Sequence, residues 1–292
     1  MRTLTVVSGK GGTGKTSILA CFAHLTRNKV LADCDVDAAN LHLLLQPDVK
    51  SSSQFKGGKL AIIDKEKCTR CGECEKACQF EAIKNSTTQP LIDPLSCEGC
   101  CLCARICPED AIRMEEKITG WVYLSKTKYG PLIHAKLGIG EGNSGKLVTR
   151  VRTVAAKVAQ DKALELTLID GSPGIGCPVI ASLTGADLAL IVTEPTLSGM
   201  ADLERIAGVC GHFGIRCVVC INKFDINKEN TKKIEKICME QDISVVGKIS
   251  YDVGFTRAIL AGVPLTEFSS NKSSREIKQV WEMISCILEL KK

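Results

Sequence analysis

Two sets of residues in this 292-residue chain are spaced for chemistry. The first is Gly9-Lys10-Gly11-Gly12-Thr13-Gly14-Lys15-Thr16, a G-x-x-x-x-G-K-[ST] string. Its glycines let the backbone curl until the N–H groups face phosphate oxygens. Lys15 then supplies a cation for the β- and γ-phosphates, and the Thr16 hydroxyl is placed for Mg²⁺. The second set is a pair of cysteine strings with one C-x₂-C-x₂-C-x₃-C spacing: Cys68, Cys71, Cys74 and Cys78, then Cys97, Cys100, Cys103 and Cys107. At this spacing thiolates hold two [4Fe–4S] clusters, the fourth cysteine of each string serving the other cluster. One cluster is therefore expected on Cys68, Cys71, Cys74 and Cys107, the other on Cys97, Cys100, Cys103 and Cys78. Paired zinc sites need only the C-x₂-C units and leave the third and fourth spacings unexplained. Gln79 follows Cys78 where Pro108 follows Cys107.

The elements that position these residues follow from hydrophobic patterning. The runs "TLTVVS", "VLAD", "LTLID", "LALIV", "RCVVCI" and "ISVVGKI" alternate with helical periodicity over 15–27, 147–160, 199–211, 229–240, 253–261 and 274–290. That alternation predicts an α/β fold, a mostly parallel sheet with helices on both faces. The glycine string falls between the first strand and the first helix, the context its chemistry requires. Asp33 and Asp35 close the second strand on one face, and Asp170 closes "LTLID"; both strand ends open on the ligand crevice of such a sheet. The alternation breaks for over a hundred residues after "DCDVDAANLHLLL". "PDVKSSSQFKGG" reads as a turn-rich entrance to an insert, and "ITGWVYLSK" with "GPLIHAKLGI" as a hairpin at its exit. The cysteine strings repeat with a period of 29 residues and predict a pseudo-twofold α+β domain. The expected division is 1–58, 59–116 for the insert, and 117–292.

Lys10, directly after the first glycine, gives the string a further character. It resembles the deviant Walker A of the MinD-superfamily ATPases, relatives of nitrogenase iron protein, the arsenical pump ATPase and the Mrp-type cluster carriers. The resemblance extends through "LADCDVDAANLHL" and "LIDGSPGIGCPVIASLTGADLALIVTEP". As a whole the chain resembles members of that superfamily with an inserted ferredoxin domain, on the cobyrinic acid a,c-diamide synthase-like nucleotide-binding fold; no glutaminase segment is present. The resemblance implies ATP or ADP with Mg²⁺ and a nucleotide-dependent homodimer in which Lys10 reaches the partner's nucleotide. It implies a catalytic set of Lys10, Lys15 and Asp35, with Asp35 orienting the attacking water. Magnesium would be held by Thr16, by Asp33 through its hydration shell, and by Asp170 as the Walker B carboxylate. Nucleotide contacts would run from Gly9 to Ser17, with Asn222 at the base. "INKFD", residues 221–225, resembles the guanine-reading N-K-x-D of GTPases, in which Asp225 would read guanine, but Lys10 and the wider resemblance favour adenine with Asn222 at its edge.

Composition narrows the partners. Seventeen cysteines without a leader pattern point to a reducing cytoplasm, and no apolar run reaches membrane-span length. With 4% aromatics and a formal charge of +5, a nucleic-acid surface is not indicated. Residues 60–115 carry 7 Lys/Arg against 10 Asp/Glu, a formal −3, leaving +8 elsewhere. An acidic insert favours a basic redox partner protein. A second G-x-x-x-x-G-K at 140–146 ends in Leu147 instead of a hydroxyl and is rejected as a nucleotide site, though its glycines suit a switch loop. Cys217 and Cys220, three apart on a strand, point to opposite faces. Cys177 follows the Walker B segment as a cluster ligand does in nitrogenase iron protein, but no second cysteine accompanies it. The apolar stripe from Ile277 to Leu288 reads as a helix packed on the sheet, not a membrane anchor. The expected function is ATP hydrolysis in a dimer coupled to low-potential electron transfer toward a redox or metallocofactor-assembly partner. The alternatives are an Mrp-type cluster carrier or assembly ATPase, and a MinD-like spatial organiser with structural clusters.

Overall fold

β-Branched and aliphatic runs form the strands. In chain order these are β1 (Arg2–Ser8), β2 (Lys29–Asp33), β3 (Asp48–Ile63), β4 (Ile83–Lys84), β5 (Leu91–Ile92), β6 (Ile112–Thr127), β7 (Gly130–Leu137), β8 (Leu166–Pro173), β9 (Leu188–Thr193), β10 (Cys217–Asn222) and β11 (Ser244–Ile249). The helices are α1 (Lys15–Leu25), α2 (Leu41–Leu45), α3 (Glu73–Ala77), α4 (Leu102–Ile106), α5 (Ser144–Asp161), α6 (Cys177–Leu183), α7 (Leu197–His212), α8 (Lys228–Glu240), α9 (Gly254–Leu260), α10 (Leu265–Phe268) and α11 (Lys272–Ile287). This computed structural model describes residues 1–84, 89–138, 140–142 and 144–290. The chain divides into two units, one of residues 1–52, 122–136 and 144–292, the other of 53–121 and 137–143.

Sheet order is β11-β10-β9-β1-β8-β2-β7-β6-β3. In the larger unit β1 runs parallel to both β8 and β9, with Leu4 opposite Leu168 and Leu188. β2 is parallel to β8 and β7, and its register sets Asp33 directly opposite Asp170, residues far apart in sequence. Strand alternation splits the core in two. Leu4, Leu190, Val218 and Cys220 face α1 and α11, where Ile277, Val280, Trp281 and Ile284 are buried and Trp281 lies 5.0 Å from the Phe22 ring. Val7, Ile191, Val219 and Ile221 face α6, α7 and α8. Cys220 and Cys217 accordingly go to opposite faces, as the alternation predicts.

The smaller unit repeats itself in structure as in sequence. Asp64 and Asp93 each accept a backbone N–H two residues on, and each carbonyl accepts the N–H of the first cysteine of its string, at 3.1 Å in both. The halves exchange partners: Asp64 N donates to Ala111 O and Asp93 N to Ala82 O, both at 2.7 Å. Left-handed backbone recurs at equivalent places, Arg70 with Gly99 and Gly72 with Cys101. β4 and β5 pair antiparallel, Ile83 opposite Ile92; the residues joining their ends fall partly outside the described ones.

One expectation fails here. The turn-rich entrance "PDVKSSSQFKGG" is strand, the first part of β3. Its Ser, Lys and Gly content suits an edge, where one side of the ladder and most side chains meet water and a core is not needed. β6 supplies the missing propensity: Gly57 N donates to Thr119 Oγ1 at 3.0 Å, and Lys56 pairs with Glu116 at 2.9 Å. The unit also extends beyond 59–116, since Gly138 and Glu141 make contacts within it. Gly138 N donates to Thr119 O at 2.9 Å, and Lys117 pairs with Glu141 at 2.7 Å.

Candidate functional site

The glycine string leaves the end of β1 and enters α1 at Lys15. Gly14 lies in left-handed backbone (φ 90°), and a Cβ there would meet Asn222 Nδ2 at 2.5 Å, so both conformation and space demand glycine. Gly11 and Gly12 face open space, which leaves the backbone cradle clear. Lys15 Nζ donates to Asp35 Oδ2 at 2.7 Å and lies 3.7 Å from Asp170 Oδ1. Burial depresses the Lys15 ammonium, but Asp170 and Asp35 more than offset this and hold its pKa above the ordinary value. Thr16 Oγ1 donates to Asp170 Oδ2 at 2.7 Å. Burial raises the pKa of Asp170, and of Asp33 further, each carboxylate also disfavouring ionisation of a neighbouring one. Asp170 Oδ1 and Thr13 Oγ1 are buried without a hydrogen-bond partner. A polar atom left so costs roughly 1–3 kcal/mol unless something reaches it. An open cradle, a buried lysine and two such oxygens fit a metal-bound polyphosphate.

The remaining residues singled out in the sequence sit nearby in other roles. Asp33 turns its two oxygens to the N–H groups of Asp35 and Leu41, at 3.1 and 3.2 Å, and thereby ties the β2 end to α2. Ser17 follows on the first turn of α1. Asn222 donates to Thr13 O at 2.8 Å and accepts from Lys223 N, bracing the glycine string from the end of β10. Asp225 accepts the N–H of Tyr251 at 2.7 Å. Lys10 does not extend freely: Nζ donates to Ser198 Oγ at 3.0 Å and Thr196 Oγ1 at 3.3 Å, with Glu194 Oε2 at 3.6 Å. Glu194 was not singled out in the sequence, and Lys223 appeared there only as the lysine of "INKFD". Lys223 pairs with Glu194 and donates to Gly12 O at 3.3 Å. Only strand order, with β9 beside β1 and β10 beyond, brings these residues to the loop.

In the smaller unit the eight cysteines divide between two recesses. One is lined by Cys68, Cys71, Cys74 and Cys107, the other by Cys97, Cys100, Cys103 and Cys78 with Cys101 beside them. The fourth cysteine of each string has crossed to the other's recess. Cys71 and Cys100 are the exposed members of the two sets. Burial pushes the Cys103 thiol up to about 11, helped by the neighbouring sulfurs of Cys97, Cys100 and Cys74, and the Cys74 thiol moves the same way. Such crowding disfavours four bare thiolates and favours a positively charged core among them. Among the described residues no three His, Cys, Asp or Glu side chains converge tightly enough for a single metal ion.

Gly145 and Lys146 are in the first turn of α5, Gly145 against Cys177, while Asn143 falls outside the described residues. No helix among the described residues is long and apolar enough to cross a membrane.

The family model "CobQ/CobB/MinD/ParA nucleotide binding domain" matches residues 4–265. An uncharacterized protein of Methanocaldococcus jannaschii is 34% identical over 285 residues, spanning 96% of this chain and 95% of its own. A 71-residue stretch, 24% of the chain, is 39% identical to 11% of the indolepyruvate oxidoreductase subunit IorA of Methanothermobacter thermautotrophicus. The crystal structure of the Pyrococcus furiosus cell division ATPase MinD superposes with a TM-score of 0.59 at 17% identity, covering 98% of this chain and 99% of that one.

Proposed function

The chain belongs to the CobQ/CobB/MinD/ParA family of nucleotide-binding proteins, and on that footing we propose that it couples Mg-ATP binding and hydrolysis, in a nucleotide-dependent homodimer, to low-potential electron transfer through two [4Fe–4S] clusters. The observation that carries the reading is the exchanged partition of eight cysteines between two recesses in a chain that also holds an open phosphate cradle. Four thiols per recess match the donor set of a four-iron cluster. The third and fourth spacings of each string are those of two-cluster ferredoxins and are not required by paired zinc sites. The short stretch similar to an oxidoreductase subunit agrees with a redox role for part of the chain.

On the nucleotide side Lys15 would meet the β- and γ-phosphates, and Thr16 with Asp170 would hold Mg²⁺. Asp35, released from Lys15, would orient the attacking water. Asp33, whose oxygens are engaged by backbone, would act on the metal only through that scaffold. Each recess already supplies a full set of four thiols, which favours retained clusters over cargo. The destination of the electrons, a redox or metallocofactor-assembly partner, is part of the proposal.

The test is to measure both cluster potentials in the anaerobically reconstituted protein, nucleotide-free and with Mg-ADP or a non-hydrolysable Mg-ATP analogue. A coupling of about 1–3 kcal/mol appears as a shift of roughly 40–130 mV in a one-electron couple. Potentials identical in all three states, with equal nucleotide affinity for oxidised and reduced protein, count against electron-transfer coupling. Ready loss of iron to a mild chelator favours the carrier reading.

A further inference from the structure

Between β9 and α7 the chain passes through Glu194-Pro195-Thr196, and the Glu194 side chain is only 12% exposed there. One carboxylate oxygen lies 3.6 Å from Lys10 Nζ, and the other pairs with Lys223 Nζ. Both ammoniums flank the phosphate cradle. Lys10 belongs to the glycine string, and Lys223 reaches the carbonyl of Gly12 within it. The other hydroxyl partners of Lys10, Thr196 and Ser198, are neutral. Asp202, the carboxylate beneath Gly9, lies 3.6 Å from Arg205. Glu194 therefore gathers two cations beside a cradle that is open on the Cβ side of Gly11 and Gly12.

We infer that Glu194 is an internal competitor for the nucleotide's phosphates. Its carboxylate occupies two lysines that a bound polyphosphate attracts, and so sets how tightly the nucleotide is held. The inference rests on the nucleotide-binding reading above and deepens it. Both lysine side chains are about one-third exposed, so they can swing toward an incoming anion, while the nearly buried carboxylate stays where it is. Either ammonium must leave or share Glu194 to serve a phosphate. The carboxylate stays beside the cradle and its repulsion of a bound polyphosphate grows with phosphate charge, so the competitor bears more on triphosphate than on diphosphate affinity.

The experiment is calorimetric titration of the full-length protein and Glu194→Gln with Mg-ADP and a non-hydrolysable Mg-ATP analogue, at low and high salt. Roughly three- to tenfold tighter binding is expected in the variant, larger for the triphosphate and smaller at high salt. Unchanged or weaker affinity overturns the proposal and leaves Glu194 as a brace for the Lys223 contact with Gly12. Glu194→Asp, which withdraws the carboxylate from Lys10 but keeps its charge, should tighten binding by less; no gain there overturns it equally if Glu194→Gln does not fold. Failure of the unmodified protein to bind either nucleotide sinks the nucleotide reading itself, which is a separate outcome.

Discussion

Lys15 and Asp35 are hydrogen-bonded to each other at 2.7 Å, yet the proposed function gives them separable roles. Lys15→Ala removes the cation that meets ground-state phosphate charge, so nucleotide binding should fall by at least two orders of magnitude in a titration. Asp35→Asn also frees Lys15, so binding should persist while turnover falls 10²-fold or more. Equal loss of binding in both variants would make Asp35 structural. Lys15, Thr16 and Asp170 are legible in sequence because their work depends on a local string and a strand end. Glu194 and the contacts Lys223 makes are not, because their relation to Gly12 exists only after β9 and β10 have taken their places beside β1. A second residue-scale expectation concerns His134. Its imidazole is hydrogen-bonded to Ser125 at 3.0 Å and stacked on Tyr123, and burial, with His42 nearby, pushes its pKa down to about 4. The folded chain keeps it neutral while the unfolded chain protonates near 6.5, so the unfolded state binds more protons between those values. Its stabilising contribution is present above about pH 6.5 and is lost as pH falls toward 4. Urea midpoints at pH 7.5 and 5 should differ by less in His134→Gln.

Among the elements, α11 tests whether the apolar C-terminal stripe belongs to the core. Ile284 is 0% exposed and Met283, its neighbour on the helix, is 52% exposed. Ile284→Ala should cost about 2–5 kcal/mol in denaturant unfolding, whereas Met283→Ala should stay within about 0.5 kcal/mol. Similar small effects from both would mean that the helix does not pack. The six expected strands and the six expected helices of the larger unit appear within a few residues of their predicted limits, since periodicity reports burial and these elements are buried on one face or both. β3 was illegible for the converse reason: an exposed edge strand carries almost no hydrophobic signal, and its hydrogen-bonding partner lies some sixty residues away.

At the level of the whole molecule, the exchange of Cys78 and Cys107 between recesses makes a stronger claim than the count of clusters. The reconstituted protein should bind about eight irons per chain. Cys107→Ala should damage the same cluster as Cys68→Ala and spare the one damaged by Cys97→Ala, read as matching paramagnetic resonance spectra. A Cys107→Ala spectrum matching that of Cys97→Ala would show that each string keeps its own fourth cysteine. The spacing predicted this partition, and its extent of 59–116 differed from the folded unit only at the ribbon of β3 and β6 and at 137–143.

That ribbon also bears on how such a chain can come into being. β3 leaves the larger unit near Ser52, β6 returns to it near Val122, and the two are neighbours in the sheet, about 5 Å apart. A host fold asked to accept a guest there closes almost no additional loop, because the guest's two ends are already side by side. Gene fusion at this point need satisfy the spacing of two adjacent strands and the contacts that Gly138 and Glu141 make with Thr119 and Lys117.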